Sequence, residues 1–188
     1  MKTLQTIVYD FSELSKEAKE KAIEQWYEHE EYPFFKDDID MYVSEKDDYF
    51  YDRKLQYSLS CCQGDGLSFS AKFSLYKWLN ERTNLKESVK RTLCELATIC
   101  SKGNTGHYCF ASRGDIELDF DNNYERPNIE SLAEKLRDEI ADYYISLCMD
   151  AEKYGYDILE YRMDELEFDD LCNDMGYTFL QDGTMKNY

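Results

Sequence analysis

Apolar positions along this chain fall into blocks with two different periods. Between Ser15 and Pro33, Ala18, Ala22, Ile23, Trp26 and Tyr27 recur at three- and four-residue spacing. That spacing predicts a helix capped by Ser12 or Ser15. Phe35, Ile39, Tyr42 and Val43 repeat the pattern directly after Pro33, so a second helix is expected there. The period then drops to two. Leu55, Tyr57, Leu59 and Cys61 alternate with Gln56, Ser58, Ser60 and Cys62, while Leu67, Phe69, Ala71 and Phe73 alternate with Ser68, Ser70 and Lys72. Gln63-Gly64-Asp65-Gly66 lies between the two runs, which predicts a hairpin with its tight turn at Asp65-Gly66.

Helical spacing returns from Ser74 to Lys102, with Asn84 and Glu87 as a capping box and Leu85, Val89, Leu93, Leu96 and Cys100 as the buried stripe. Two strands are expected around Arg113-Gly114-Asp115. In the second, Ile116, Leu118 and Phe120 face one side and Asp115, Glu117, Asp119 and Asp121 the other. A long amphipathic helix follows from Ile129 towards Lys153, carried by Leu132, Leu136, Ile140, Tyr144, Leu147 and Ala151. Gly155 is expected to interrupt it, because Gly costs about 1 kcal/mol relative to Ala inside a helix. An acidic helix over 161–175 then ends at Gly176, and a small hairpin closes about Asp182-Gly183. Near the start, Thr3–Tyr9 is short and β-branched and reads as a strand. These blocks predict an α+β fold in one domain spanning 1–188. An antiparallel sheet of hairpins packs against several amphipathic helices, with long acidic C-terminal helices and a helical subregion over 127–176.

Charge narrows what such a fold does. The 188 residues carry 40 acidic side chains against 22 basic ones, a net charge of −18. Binding to free nucleic acid or to an anionic membrane needs a basic stripe, and the chain has none, so a basic protein is the expected partner. Three acidic segments are the candidate contacts. Asp37, Asp38, Asp40, Asp47 and Asp48 form the acidic face of the second helix, and Asp115, Glu117 and Asp119 lie on the acidic strand. Asp164, Glu165, Glu167, Asp169 and Asp170 load the last helix. Tyr42, Tyr49, Tyr51, Tyr161 and Phe168 lie among them as aromatic anchors.

Candidate chemistry adds little. Seven cysteines without a CxxC pair argue for free thiols in a reducing cytoplasm. His107 and Cys109 share one face of their strand, but zinc needs two further ligands that no spacing supplies. Asp119–Asn123 and Phe168–Asp174 resemble fragments of metal loops without the full ligand pattern. No catalytic residue, metal or cofactor is therefore expected. MKTLQTIVYDF lacks the apolar core of a signal peptide, so a soluble, cytoplasmic protein is expected, its oligomeric state left open.

Two stretches, FSELSKEAKEKAIEQWYE and YSLSCCQGDGLSFS, resemble small proteins of phages and mobile elements that share an ELS-x-EAK-x-KA helix and a QGDG-x-SF hairpin. The matching residues are Glu13, Leu14, Ser15, Glu17, Ala18, Lys19, Lys21 and Ala22, then Gln63 to Gly66, Ser68 and Phe69. The acidic C-terminal helices are unmatched. Some acidic proteins of this size and origin are similar to anti-CRISPR inhibitors of type II effector nucleases. The resemblance implies a non-enzymatic inhibitor that binds a guide-RNA-loaded nuclease, either as a nucleic-acid mimic or by blocking its activation. An antitoxin-like partner of another basic protein is the first alternative, and a metal-dependent nuclease the second.

Overall fold

A computed structural model describes residues 6–29, 34–60, 64–103, 114–121 and 126–186. Its helices are α1 (Lys16–His29), α2 (Phe35–Lys46), α3 (Leu75–Arg82), α4 (Glu87–Leu96), α5 (Pro127–Glu160) and α6 (Glu165–Met175). Strands β1 (Phe50–Ser58), β2 (Gly66–Phe73), β3 (Ala97–Lys102) and β4 (Asp115–Phe120) form one antiparallel sheet in the order β1-β2-β3-β4. A second, two-stranded sheet pairs β5 (Thr178–Phe179) with β6 (Met185–Lys186). The fold is α+β. The chain divides into two compact units, Phe34–Leu159 and the pair of segments Met1–Pro33 and Glu160–Tyr188 that flank it in sequence. Among the described residues no helix is long and apolar enough to cross a membrane.

In the larger unit β2 buries Leu67, Phe69, Ala71 and Phe73, and Ser68, expected on the outer face, is buried as well. Pairing with β1 sets Phe50 beside Phe73 and Leu55 beside Phe69. The ladder is interrupted between Tyr51 and Lys54 by a bulge in which Asp52 adopts φ 56°. Only Ala71 and Lys72 of β2 pair with β3. Beyond that short ladder, α5 supplies what the sheet lacks. The Tyr144 hydroxyl accepts from the Phe69 N–H at 3.1 Å and donates to the Phe69 carbonyl at 2.8 Å, and the Ser101 hydroxyl donates to the same carbonyl at 3.0 Å. A Cβ added at Gly114 would meet the Tyr144 ring at 2.5 Å, so the absent side chain is what lets that tyrosine reach the strand.

In the flanking unit, Phe11, Leu14, Ala18, Ala22 and Trp26 pack against Phe168, Leu171, Cys172 and Phe179. Ser15 caps α1, its hydroxyl accepting from the Ala18 N–H at 3.3 Å. Asp164 caps α6 by accepting from the Leu166 and Glu167 N–H groups, and Gly176 ends that helix at φ 68°. The Asp182-Gly183 turn joins β5 to β6, with Gly183 at φ 84°.

Several sequence expectations are corrected. The helix expected through Lys102 stops at Leu96, and Ala97–Lys102 is a strand. Leu93, Leu96 and Cys100 fit a helical period, but Ala97, Ile99 and Ser101 alternate inwards once β2 and β4 pair on either side. The α4 cap falls on Lys86 without a side-chain bond, not on Asn84. Gly155 does not interrupt α5. It is buried where a Cβ would meet Leu59 at 2.6 Å and Phe35 at 3.2 Å, so it serves close packing.

The β1–β2 connection is longer than a tight turn at Asp65-Gly66. β1 ends at Ser58, the positive φ belongs to Gly64 (115°), and Gly66 already begins β2. The two central strand partners β2 and β3 are joined through α3 and α4, not by a hairpin. Of the expected Thr3–Tyr9 strand, residues 3–5 lie outside the described residues, and Tyr9 makes a single bridge to Phe179. The expected strand around His107 and Cys109 also lies outside them.

Candidate functional site

The three acidic segments meet different fates. On α2, Asp37 and Asp40 are exposed and Asp38 half-buried. Asp40 is tied to Arg53 at 2.8 Å, and Arg53 also donates to the Phe50 carbonyl at 2.6 Å and to the Ser44 hydroxyl. Asp48 pairs with Lys77. Asp47 is not a surface acid, which corrects its place among the expected contacts. It is buried, accepts from the Tyr49 N–H at 3.2 Å, the Phe50 N–H at 2.9 Å and the Tyr143 hydroxyl at 3.0 Å, and lies 3.9 Å from Arg53. Burial pushes its carboxyl above the usual range, against the pull of these donors. The same desolvation, with Asp47 beside it, raises the Tyr143 phenol.

On β4, Asp115 and Asp119 are exposed, and Glu117 is half-buried and paired with Lys102. This strand is the site's centre. A groove of about 700 Å³ runs along β4 and is completed by Glu130, Glu134 and Arg137 from the first turns of α5. Among the described residues, Arg137 is engaged by Asp138 at 2.6 Å and Lys102 by Glu117, so these two cations already have an acid. Asp115 and Asp119 form no ion pair among the described residues. The wall of the groove is therefore net negative, with Ile116 buried behind it. Glu130 and Glu134 had no place among the expected contacts. Their four-residue spacing puts them on one helix face, but only the fold brings that face to β4.

The α2 acids and the β4 acids are not brought together, since α2 packs on β1 and β4 is the opposite edge of the sheet. The third segment belongs to the flanking unit and is largely used internally. Asp164 is the α6 cap, and Glu167 closes the box by accepting from the Asp164 N–H at 3.0 Å and from the Tyr161 hydroxyl at 2.7 Å. Glu165 lies 3.7 Å from Lys19. One carboxyl oxygen of Asp169 is buried without a hydrogen bond among the described residues, whereas Asp170 is exposed.

Of the expected anchors, Tyr49 and Phe168 are core residues and are corrected accordingly. Tyr51 and Tyr161 are exposed, and Tyr42 stacks on Tyr154 at 4.1 Å. Asp65 also acts inside the fold. It accepts from the Ser60 N–H at 2.7 Å, the Tyr156 hydroxyl at 2.8 Å and the Ser58 and Ser60 hydroxyls.

Among the described residues the buried thiols are not activated nucleophiles. Burial pushes the Cys148 and Cys172 thiols up to about 12, which leaves them protonated at neutral pH. Among the described residues no three His, Cys, Asp or Glu side chains converge as a metal site. Comparison with protein families, with curated proteins and with solved structures yields no match.

Proposed function

We propose that this chain is a non-enzymatic inhibitor that binds a basic, nucleic-acid-handling defence protein in the cytoplasm, with a guide-RNA-loaded type II CRISPR nuclease as the partner to test. The observation that carries the reading is the groove along β4. Asp115, Glu117, Asp119, Glu130 and Glu134 line one concave surface, and the described Lys102 and Arg137 beside it are each paired with an acid. A net charge of −18 adds a long-range field of the same sign. Such a surface attracts a positively charged channel and competes there with nucleic acid. The resemblance of the α1 and hairpin stretches to phage and mobile-element proteins points the same way.

The experiment is gel filtration of the chain with the nuclease–guide assembly, alongside a DNA-cleavage time course. Co-elution and slowed cleavage are expected at low salt, both weakening as salt is raised. The triple substitution Asp115→Lys, Asp119→Lys, Glu130→Lys changes exposed side chains, so the fold should persist while co-elution is lost. Absence of both co-elution and inhibition with the unsubstituted chain would rule the proposal out.

A further inference from the structure

At the end of α3, Arg82 lies among three aromatic rings that come from separate parts of the larger unit. Its guanidinium carbon is 5.1 Å from the Trp78 ring centroid, 5.4 Å from Tyr143 and 5.5 Å from Tyr49. Tyr49 stems from the turn before β1, Trp78 from α3 and Tyr143 from α5. The rings meet at steep angles: Tyr49 to Trp78 at 75°, Tyr49 to Tyr143 at 79°, Trp78 to Tyr143 at 57°. They therefore enclose a cation instead of stacking on one another. Both phenols donate to carboxylates, Tyr49 to Glu81 at 2.8 Å and Tyr143 to Asp47 at 3.0 Å.

The box does not depend on Arg82 for its shape. Tyr49 and Trp78 are buried, and both pack on Phe73. Arg82 is exposed, makes one hydrogen bond, from Nε to the Tyr49 hydroxyl at 3.2 Å, and has no ion pair among the described residues. A box whose rings are fixed by the core and whose occupant is an exposed side chain is a preorganised guanidinium site.

We propose that the Tyr49–Trp78–Tyr143 box receives an arginine side chain from a partner protein, with Arg82 as its exchangeable internal occupant. A planar guanidinium suits it better than an ammonium because it stacks on ring faces while its edge donates to Glu81 or solvent. That the arginine comes from a basic protein rests on the function proposed above, whereas the affinity of the box for a guanidinium does not.

The test is an NMR titration of the full chain, read on the indole N–H of Trp78, with Nα-acetyl-arginine methylamide and its lysine counterpart as probes. Arg82→Ala should give a saturable shift of the Trp78 signal with the arginine probe and a weaker one with lysine, while Trp26 stays still. The unsubstituted chain should need roughly tenfold more probe, because Arg82 competes at high local concentration. In the Arg82→Ala background, Tyr143→Phe keeps the ring and should keep binding, and Tyr143→Leu should lose it. No saturable shift in either the unsubstituted chain or Arg82→Ala overturns the proposal, as does an unchanged shift in Tyr143→Leu. A positive titration with no nuclease complex would sink the functional reading alone, and the reverse result would sink this one.

Discussion

Tyr144 shows how much a single hydroxyl can hold. It closes the open N–H and carbonyl of Phe69 where the β2–β3 ladder has already ended. Tyr144→Phe keeps the ring but leaves a buried N–H without an acceptor, a loss of about 1–3 kcal/mol in urea denaturation. Tyr144→Phe matching the unsubstituted chain would show that water replaces the hydroxyl. Asp182 makes a prediction about pH. Its hydrogen bond from Lys21 at 2.7 Å, together with donors on Thr184, lowers its carboxyl from 3.8 to about 2. A folded value below the unfolded one stabilises the native state above the unfolded value and ceases to do so as pH falls through the folded one. The stability gap between the unsubstituted chain and Asp182→Ala should therefore be full above about pH 4 and close towards pH 2. A gap that stays constant over that window would contradict the assignment.

Gly155 brings the same reasoning to the level of a helix. Gly155→Ala should gain about 1 kcal/mol of helix propensity. It should lose more, about 1–3 kcal/mol, because the new methyl collides with Leu59, Phe35 and Ile39. Thermal melting should show a net loss, whereas stabilisation would mean that those side chains have room to move. Periodicity made much of the element pattern readable: α1, α2 and α5, the alternation of β4, and the turn at Gly183 all follow from local spacing. What spacing cannot reveal is who the neighbour is. Leu93, Leu96 and Cys100 satisfy a helical repeat, and only pairing with β2 and β4 turns Ala97–Lys102 into a strand. Asp47 is indistinguishable in sequence from Asp48 beside it, yet Tyr143, ninety-six positions away, makes one a core acceptor while the other faces Lys77. The groove was half legible for the same reason: β4 announced its acidic face, and α5 did not announce that it would meet it.

At the scale of the whole molecule, 40 acidic side chains against 22 basic ones repel one another in the compact state. Moderate salt screens that repulsion while leaving the buried contacts nearly untouched. Raising sodium chloride from low to physiological strength should lift Tm by about 2–4 °C, equivalent to about 1 kcal/mol. A Tm that falls with salt would mean that the ion pairs outweigh the net charge. The two compact units carry a further consequence, for the order in which the protein comes into being. Phe34–Leu159 is complete in sequence before Glu160 is added, whereas the core around Trp26 waits for Phe168 and Phe179. On a translating ribosome adding roughly 5–20 residues per second, α1 holds its apolar face uncovered while the whole intervening unit is made. Protease digestion of chains stalled at increasing lengths should find the larger unit protected first and α1 last. A helix made before the whole larger unit is thus buried only after it, and a chaperone has long access to Ala18, Ala22 and Trp26.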